Sequence, residues 1–309
     1  MRVIFMGTPD FSVGIMEAMA ERGHEIVLAV TQPDKPKGRG GAVSCSPVKE
    51  AAVARNIPVF QPVKIREPEN IAVLREHKPD MIVVAAFGQI LPEEILSMAS
   101  YGCINVHASL LPKYRGASPI QWAVLDGEKE SGVTIMRMDT GVDTGDMIAQ
   151  KAVTLAPDET AGSLFDKLSE LGASLLCETM ETIENGTAVY TPQDHSKATH
   201  TKKIEKSMGK MDWKQPAEVL ERRVRGLCPW PGAYTGCNGK TLKIWKAAVR
   251  PGECGQNAAP GTVVETKDAV AVQTGDGVLL LTEVQLEGKK RMDAAAFLRG
   301  YPLKQGMVL

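Results

Sequence analysis

The sequence has few aromatic residues and no long hydrophobic run. Phe, Trp and Tyr together make up 5% of its 309 residues. A helix that crosses a membrane needs about 20 consecutive, mostly apolar residues, and the sequence contains no such stretch, so it predicts no membrane-spanning segment. The first residues lead directly into an apolar strand pattern and lack the usual form of a signal peptide. We therefore expect a cytoplasmic protein.

The cysteines are too scattered to predict a zinc site or a disulfide framework. No two of them form a Cys-x-x-Cys pair, which is the spacing typical of structural zinc sites and of redox motifs. Reduced thiols are typical of cytoplasmic proteins, so the sequence predicts free cysteines and no metal centre. The six cysteines are Cys45, Cys103, Cys177, Cys228, Cys237 and Cys254.

The first half of the chain alternates apolar segments with helical ones. Continuous apolar strands between helices indicate a Rossmann-like, doubly wound and mostly parallel α/β sheet. Asp10 is predicted to cap the first helix, and Ser46 with Pro47 to begin the second. The first strand–helix turn is Gly-Thr-Pro-Asp-Phe, without the Gly-x-Gly-x-x-Gly fingerprint, which argues against a nicotinamide-dependent enzyme. Strands are predicted at residues 2–7, 25–32, 59–62, 81–87 and 132–138, and at the start of the stretch 102–116.

The second half of the chain differs in character and predicts a separate domain. Residues 190–208 are polar and show no clear periodicity, which is typical of a linker. His195 and His200 lie in it and are expected to be solvated. Residues 209–309 contain short alternating segments separated by turn residues, which favours a small β-barrel or sandwich. The predicted domains are therefore residues 1–189 and residues 209–309.

Charge is unevenly distributed between the two halves. Residues 1–189 hold 17 Lys and Arg against 25 Asp and Glu, a net charge of −8, whereas residues 190–309 hold 19 against 12, a net charge of +7. Such asymmetry suggests that the second half binds a polyanion, although two solvated surfaces could differ this much by chance. The acidic half also contains a basic loop, residues 32–47, with Lys35, Lys37 and Arg39. Long loops often carry function, and a solvated flexible loop is the alternative.

Three polar side chains alternate along an otherwise apolar strand. Asn105, His107 and Ser109 stand at every second position and therefore point to one face of the strand. Binding sites of open α/β sheets form beyond the carboxyl ends of strands, where these residues lie. His107 could act as a general acid or base, and Asn105 could donate a hydrogen bond to a developing oxyanion. The alternative is a structural histidine with no chemical role.

A carboxylate partner for His107 is expected from the next strand. That strand leads into "DTGVDTGD", which offers Asp139, Asp143 and Asp146. Spacing alone does not identify which of them faces the site. The repeated Asp-Thr-Gly is also the motif of aspartic proteases, but those enzymes are all-β proteins and take their two aspartates from separate lobes or subunits. An α/β chain with both copies four residues apart does not match that arrangement.

The segment "INVHASLLP", followed by "GVDTGD", resembles the 10-formyltetrahydrofolate-dependent formyltransferases. This resemblance implies a Rossmann-like catalytic domain, a linker and an OB-like C-terminal barrel. It also implies that 10-formyltetrahydrofolate is the co-substrate and that no metal is needed. The roles that it implies are catalysis for Asn105, His107 and Asp143, folate binding for Ser109, Leu110, Leu111, Pro112, Ile90 and Leu91, and tRNA binding for Lys35, Lys37 and Arg39.

Further landmarks make the likeness more specific. The segments "FMGTPDF", "TQPDKPKGRG", "PWPGAY" and "APGTVV" resemble the branch of the family that formylates initiator methionyl-tRNA. Members of that branch suggest a monomer. Two alternatives stay open: a formyltransferase that acts on a small amine, such as glycinamide ribonucleotide or an amino sugar nucleotide, and a catalytically silent RNA-binding protein on the same scaffold.

Overall fold

The computed structural model describes residues 1–37, 42–250 and 258–309, so Arg39 and Cys254 lie outside the described residues. The chain divides into two compact units. The first unit comprises Met1–Pro119, Glu130–Thr154 and Phe165–Thr201, and the second comprises Ile120–Lys129, Leu155–Leu164 and Lys202–Leu309. The domain boundaries expected from the sequence, including the linker at 190–208, stay a prediction.

The first unit is built on a mostly parallel sheet whose strands are joined by helices. Its strands are β1 (Arg2–Gly7), β2 (Glu25–Val30), β3 (Lys35–Lys37), β4 (Ala42–Ser44), β5 (Val59–Phe60), β6 (Met81–Ala85), β7 (Cys103–His107), β8 (Arg115–Gly116), β9 (Glu130–Arg137), β10 (Met147–Thr154) and β11 (His200–Thr201). The central sheet has the order β10-β9-β7-β6-β1-β2-β5. The pairs β3–β4 and β8–β11 form two small separate sheets.

The helices follow the strands along the chain. They are α1 (Asp10–Glu21), α2 (Pro47–Ala54), α3 (Pro68–Glu76), α4 (Glu93–Leu96), α5 (Pro119–Leu125), α6 (Ala161–Glu184), α7 (Ala217–Gly226) and α8 (Ala294–Gly300). From β1 the chain builds the sheet outward through β2 and β5, and then returns to add β6 and β7 on the other side of β1. This reversal is a topological switch point, where ligands of open α/β sheets usually bind.

The structure confirms the predicted fold class and corrects several details. Ser46 accepts a hydrogen bond from the backbone N–H of Lys49 and caps α2, with Pro47 at the first helical position, as expected. Asp10, however, is the first residue of α1, and Pro9 occupies the cap position. Strand β9 pairs antiparallel with both β7 and β10, and β10 is a strand that the sequence pattern does not predict. No residue of β10 is buried, so this strand lacks the buried apolar run that marks the inner strands.

The second unit contains an antiparallel sheet consistent with the predicted small barrel. Its strands are β12 (Ala233–Cys237), β13 (Lys240–Arg250), β14 (Val263–Thr266), β15 (Val270–Gln273), β16 (Val278–Leu286) and β17 (Met292–Asp293). They pair in the order β12-β13-β16-β15-β14, and β17 pairs with β16. Strand residues such as Leu242, Val272 and Leu281 form a buried cluster, which also includes Phe297 of α8. Within the described parts of the chain, no helix is both long enough and apolar enough to cross a membrane.

Candidate active site

Asn105 and His107 end the buried strand β7 beside the switch point of the sheet. Their side chains are on the same face, as the alternation predicts, and they are only 8% and 6% exposed. The neighbouring strands β6 and β9 fix the backbone of β7 on both sides through ladder pairing. A polar pair held this rigidly at the carboxyl edge of a sheet has the placement that reaction chemistry requires.

The ring of His107 is oriented by the loop that follows it. Nε2 lies 3.0 Å from the backbone carbonyl oxygen of Tyr114. A carbonyl oxygen can only accept a hydrogen bond, so Nε2 carries the proton and donates it. Nδ1 is consequently the ring nitrogen that faces Asp143, whose Oδ1 is 3.7 Å away. In this tautomer a neutral ring has its lone pair on Nδ1, and a cationic ring carries its second proton there.

The carboxylate of Asp143 links both β7 residues to the loop after them. Its Oδ1 is 3.4 Å from the side-chain nitrogen of Asn105, and its Oδ2 accepts a 2.8 Å hydrogen bond from the backbone N–H of Gly116. Asp139 is used differently: its Oδ1 accepts from the backbone N–H of Gly141 and from the hydroxyl of Thr144, and so stabilises its own turn. The structure thus brings Asp143, and not Asp139, to the histidine.

The loop that carries Asp143, residues 138–146, is unusually tight. Asp143 has a φ of 52°, a left-handed conformation that is uncommon for residues other than glycine. A Cβ atom at Gly145 would lie 1.8 Å from the carbonyl oxygen of Arg137, so only glycine fits there. Residues held in such conformations often mark functional sites, and they persist where the surroundings support them.

Comparison with known proteins identifies the family of this chain. A family model described as "Formyl transferase" matches residues 1–180, and one described as "Formyl transferase, C-terminal domain" matches residues 203–302. The chain belongs to the formyl transferase family. A relative from Agathobacter rectalis, named methionyl-tRNA formyltransferase, is 62% identical over 99% of this chain and 98% of its own length. A second relative of that name, from Lachnospira eligens, is 53% identical over 100% of this chain and 99% of its own length.

A solved structure of the same fold comes from a more distant protein. It is WlaRD, described as a sugar 3N-formyl transferase crystallised in the presence of dTDP and 5-N-formyl-THF. The two folds agree with a TM-score of 0.68 at 20% identity, over 94% of this chain and 99% of that one. At this identity the likeness establishes the fold of this formyl transferase and nothing about its acceptor.

The loop from Ala108 to Gly116, which we call the site loop, is built around a buried hydroxyl. Thr134 on β9 donates to the carbonyl oxygen of Ser109 at 2.7 Å and accepts from the backbone N–H of Leu111 at 3.1 Å. The same hydroxyl accepts from the side-chain nitrogen of Gln150 at 2.9 Å. Ser109 turns its own hydroxyl inward, where it donates to the carbonyl oxygen of Lys113. Its side chain therefore shapes the loop.

The other residues expected at the folate differ in exposure. Leu111 is buried, while Leu110 and Pro112 are half-buried on the site loop. After β6, Ile90 is 80% exposed, and Leu91 is buried in the apolar core of the sheet. In this formyl transferase Ile90 thus offers an apolar side chain to solvent, whereas Leu91 contributes its side chain to the core. Their predicted contact with folate stays a prediction.

The basic loop is anchored at its base by Asp34. The carboxylate accepts a hydrogen bond from Nζ of Lys49 at 2.5 Å and from Nε2 of Gln61 at 2.7 Å. The hydrogen bond from Lys49 is the main cause that lowers the pKa of Asp34, and the same bond raises the pKa of Lys49. Beyond this anchor, Lys35–Lys37 pairs with Ala42–Ser44 as a short hairpin. Arg39, at its predicted tip, lies outside the described residues.

Sequence reasoning missed Gln193, which contacts the Asp143 loop, and Arg115, which contacts Gln193. Gln193 belongs to the predicted linker, yet it is 5% exposed and donates to the carbonyl oxygens of Asp143 and Gly145. Its carbonyl oxygen accepts from the guanidinium of Arg115, which is 3% exposed. In the sequence, Gln193 is an uncharged polar residue in a polar segment, and this pattern does not predict that its side chain is buried.

The titratable residues of the described part of the chain include no group of three or more His, Cys, Asp or Glu that could hold a metal ion. The expectation that no metal is needed stays a prediction. At the candidate site the polar groups are an amide, an imidazole and a carboxylate within hydrogen-bonding or ion-pair distance of one another. This set can stabilise an oxyanion and move a proton, which acyl transfer to an amine requires.

Proposed function

We propose that this chain transfers the formyl group of 10-formyltetrahydrofolate to the α-amine of initiator methionyl-tRNA. The product, N-formylmethionyl-tRNA, would serve translation initiation in the cytoplasm. The observation that carries the proposal is the convergence of Asn105, His107 and Asp143 at the carboxyl end of β7. The names of relatives at 62% and 53% identity, which match essentially the full chain, support methionyl-tRNA as the acceptor.

Attack by the amine begins the reaction. The amine nitrogen forms a bond to the formyl carbon, and the formyl oxygen becomes an oxyanion. An amide has two N–H groups, so Asn105 can donate one to Asp143 and the other to this oxyanion. His107 lies on the same face of β7 and adds a positive charge when Nδ1 is protonated. These preorganised groups stabilise the tetrahedral intermediate more than the planar formyl group.

Proton transfer completes the reaction. Nδ1 of His107 takes a proton from the attacking nitrogen and gives it to N10 of the folate as the bond between the formyl carbon and N10 breaks. Asp143, 3.7 Å from Nδ1, stabilises the imidazolium between these steps. Tetrahydrofolate is the leaving group. We assign the folate to the site loop, residues Ser109, Leu110, Leu111 and Pro112, and to Ile90 and Leu91 after β6.

The tRNA requires positive charge, which the second unit supplies. Lys243 and Trp245 alternate on β13, so they share the face opposite Ile244, which points into the core. The guanidinium of Arg291 lies 4.7 Å from the ring of Trp245, and Nζ of Lys243 lies 5.7 Å from it. Cations held around an aromatic ring suit a phosphate backbone with exposed bases. We group Lys243 of β13 with Lys289, Lys290 and Arg291, which precede β17, call these four residues the basic face, and assign them to the tRNA.

The acceptor end of the tRNA requires a second group of cations. We assign this role to the basic loop with Lys35, Lys37 and Arg39, which begins directly after β2, one of the strands that end near the switch point. In this proposal residues 1–189 perform the chemistry, residues 190–208 join them to the rest, and residues 209–309 hold the tRNA. The protein acts as a monomer and without a metal.

An acceptor panel tests the proposal. The full chain is incubated with formyl-labelled 10-formyltetrahydrofolate and with each of six acceptors: initiator methionyl-tRNA, elongator methionyl-tRNA, uncharged tRNA, free methionine, glycinamide ribonucleotide and a dTDP-linked amino sugar. We expect kcat/KM for initiator methionyl-tRNA to exceed that for each small amine by on the order of a hundredfold or more. A higher kcat/KM for a small amine would show that methionyl-tRNA is not the acceptor. Salt-dependent binding of tRNA without formyl transfer would indicate a catalytically silent RNA-binding protein.

A further inference from the structure

The segment of residues 190–201 packs against the Asp143 loop and is not a solvated linker. Its ends are paired with the first unit: the backbone of Thr191 exchanges hydrogen bonds with Met147, and β11 pairs in parallel with β8. Between these ends most side chains are exposed, and Gln193 is the buried exception among them. A single buried amide in an exposed segment must have its polar groups satisfied by specific partners.

The amide of Gln193 uses its full hydrogen-bonding capacity. Nε2 donates to the carbonyl oxygen of Asp143 at 3.0 Å and to that of Gly145 at 2.7 Å. Oε1 accepts from Nε of Arg115 at 3.1 Å and from Nη2 at 2.7 Å. The orientation of the amide is unambiguous, because arginine can only donate and carbonyl oxygens can only accept. Gln193 therefore clamps the Asp143 loop to Arg115.

Arg115 is fixed in turn by its neighbours in the chain. Its backbone N–H donates to the carbonyl oxygen of Thr199 at 2.9 Å, and its carbonyl oxygen accepts from the hydroxyl of Thr201 at 3.1 Å. Nη2 also donates to Nδ1 of His195 at 3.2 Å. The next residue, Gly116, gives its backbone N–H to the carboxylate of Asp143. The same two residues of β8 thus hold Asp143 from two directions, through its side chain and through its backbone.

We propose that Gln193 and Arg115 are positioning residues that fix the carboxylate of Asp143 against His107. The need for them follows from the loop, because Asp143 has a left-handed φ, which few residues other than glycine adopt and which the surrounding structure must support. Four hydrogen bonds through one buried amide supply that support. Loosening them lets the carboxylate move, and displacement of a reacting group by about 1 Å lowers turnover on the order of a hundredfold. This inference rests on the proposed function of Asp143.

Gln193→Glu separates the two halves of the clamp. The carboxylate has the size of the amide and still accepts from Arg115, but it cannot donate to the carbonyl oxygens of Asp143 and Gly145. We expect kcat to fall tenfold to a hundredfold, with KM for methionyl-tRNA and for the folate within about twofold of wild type. Ser196→Ala is the matched control, because Ser196 lies in the same segment and its hydroxyl donates to Asp194, which is exposed.

A double-mutant cycle distinguishes positioning from a general structural role. In the Asp143→Asn background the catalytic carboxylate is already absent, so Gln193→Glu should lower kcat by less than threefold further. The proposal would be overturned if the loss of kcat in the double variant equalled the product of the two single losses. It would also be overturned if Gln193→Glu alone left kcat unchanged. If Gln193→Glu does not fold, Gln193→Met, which is uncharged and of similar length, takes its place in the cycle.

Hydrogen exchange gives a readout that needs no acceptor. Backbone amides of residues 139–147 should exchange at least tenfold faster in Gln193→Glu than in Ser196→Ala, while those of β1 and β6 stay unchanged. Equal exchange in the two variants would overturn the clamp whatever the acceptor is. If the acceptor panel instead identifies a small amine, the double-mutant cycle is run with that amine. The acceptor panel therefore tests the proposed function, and the cycle and hydrogen exchange test the clamp.

Discussion

Oδ1 of Asp143 lies 3.7 Å from Nδ1 of His107, and the opposite ring nitrogen of that histidine donates to the backbone of Tyr114. Nε2 therefore fixes the orientation of the ring, and Nδ1 is the nitrogen that can take part in proton transfer. The arrangement places the carboxylate where it stabilises charge on the ring, and it makes the identity of the aspartate testable against its neighbours in the same loop.

Asp143→Asn should lower kcat on the order of a hundredfold or more, because the neutral amide no longer stabilises the imidazolium. Folding should be unaffected, since the side chain lies at the edge of the sheet and contributes little to the core. Steady-state kinetics with methionyl-tRNA measures the effect. Asp139→Asn is the control, because an asparagine oxygen can still accept the two hydrogen bonds that Asp139 receives. Near-normal turnover of Asp143→Asn beside a deficient Asp139→Asn would reverse the assignment.

Thr134→Val should weaken folate binding by deforming the site loop. The substitution keeps the shape of the side chain but removes the hydroxyl that joins Ser109, Leu111 and Gln150. Leaving buried polar groups without partners costs about 1–3 kcal/mol. We expect KM for 10-formyltetrahydrofolate to rise roughly fivefold to a hundredfold, measured at saturating methionyl-tRNA. Thr134→Ser retains the hydroxyl and should stay near wild type; equal defects in both variants would speak against this role.

The ion pair between Asp34 and Lys49 predicts a pH dependence for the base of the basic loop. The folded state lowers the pKa of Asp34, mainly through the hydrogen bond from Lys49. The resulting stabilisation is complete above the ordinary aspartate pKa and is lost as pH falls through the lower, folded value. The raised pKa of Lys49 has the opposite sign, so its contribution is lost only as pH rises through a value above the ordinary one.

Asp34→Asn should therefore lower the thermal midpoint at neutral pH, and the difference from wild type should shrink as the solution becomes strongly acidic. Differential scanning calorimetry across pH measures both. Glu25→Gln removes an exposed ion pair with Arg2 and serves as the control, with a small effect at every pH. A difference for Asp34→Asn that does not change with pH would show that the carboxylate charge is not what holds the loop.

Neutralising the basic face should weaken tRNA binding and reduce its salt dependence. The triple variant Lys243→Gln, Lys289→Gln and Lys290→Gln should lower the slope of log affinity against log salt by roughly one for each phosphate that these lysines no longer neutralise. Its kcat at saturating tRNA should stay near wild type, because these residues do not touch the reacting atoms. A matched triple variant at Lys64, Arg75 and Lys78 should leave the slope unchanged, and equal slopes in the two would remove the basic face from this role.

Local patterns in the sequence predict what is local in the structure. The alternation on β7 places Asn105 and His107 on one face, and the Ser46–Pro47 pair marks the start of α2. The pairing of β10 with β9 and the hydrogen bond from the Ser109 hydroxyl to Lys113 cannot be predicted from the periodicity of the sequence. Gln193 is the extreme case, since its partners lie 78 and 50 residues earlier in the chain. Its burial results from tertiary packing that overrides a polar, linker-like composition.

The pairing of β8 with β11 has a consequence for the order in which the protein is made. Arg115 and Gly116 emerge from the ribosome long before their partners His200 and Thr201. A nascent chain that ends at residue 180, where the match to the first family model stops, already holds every residue assigned to the chemistry but neither Gln193 nor β11. Such a chain can form the parallel core of the sheet, yet its aspartate stays unclamped. Under the proposed clamp, translation has to pass residue 201 before Gln193 and β11 can hold this aspartate in place.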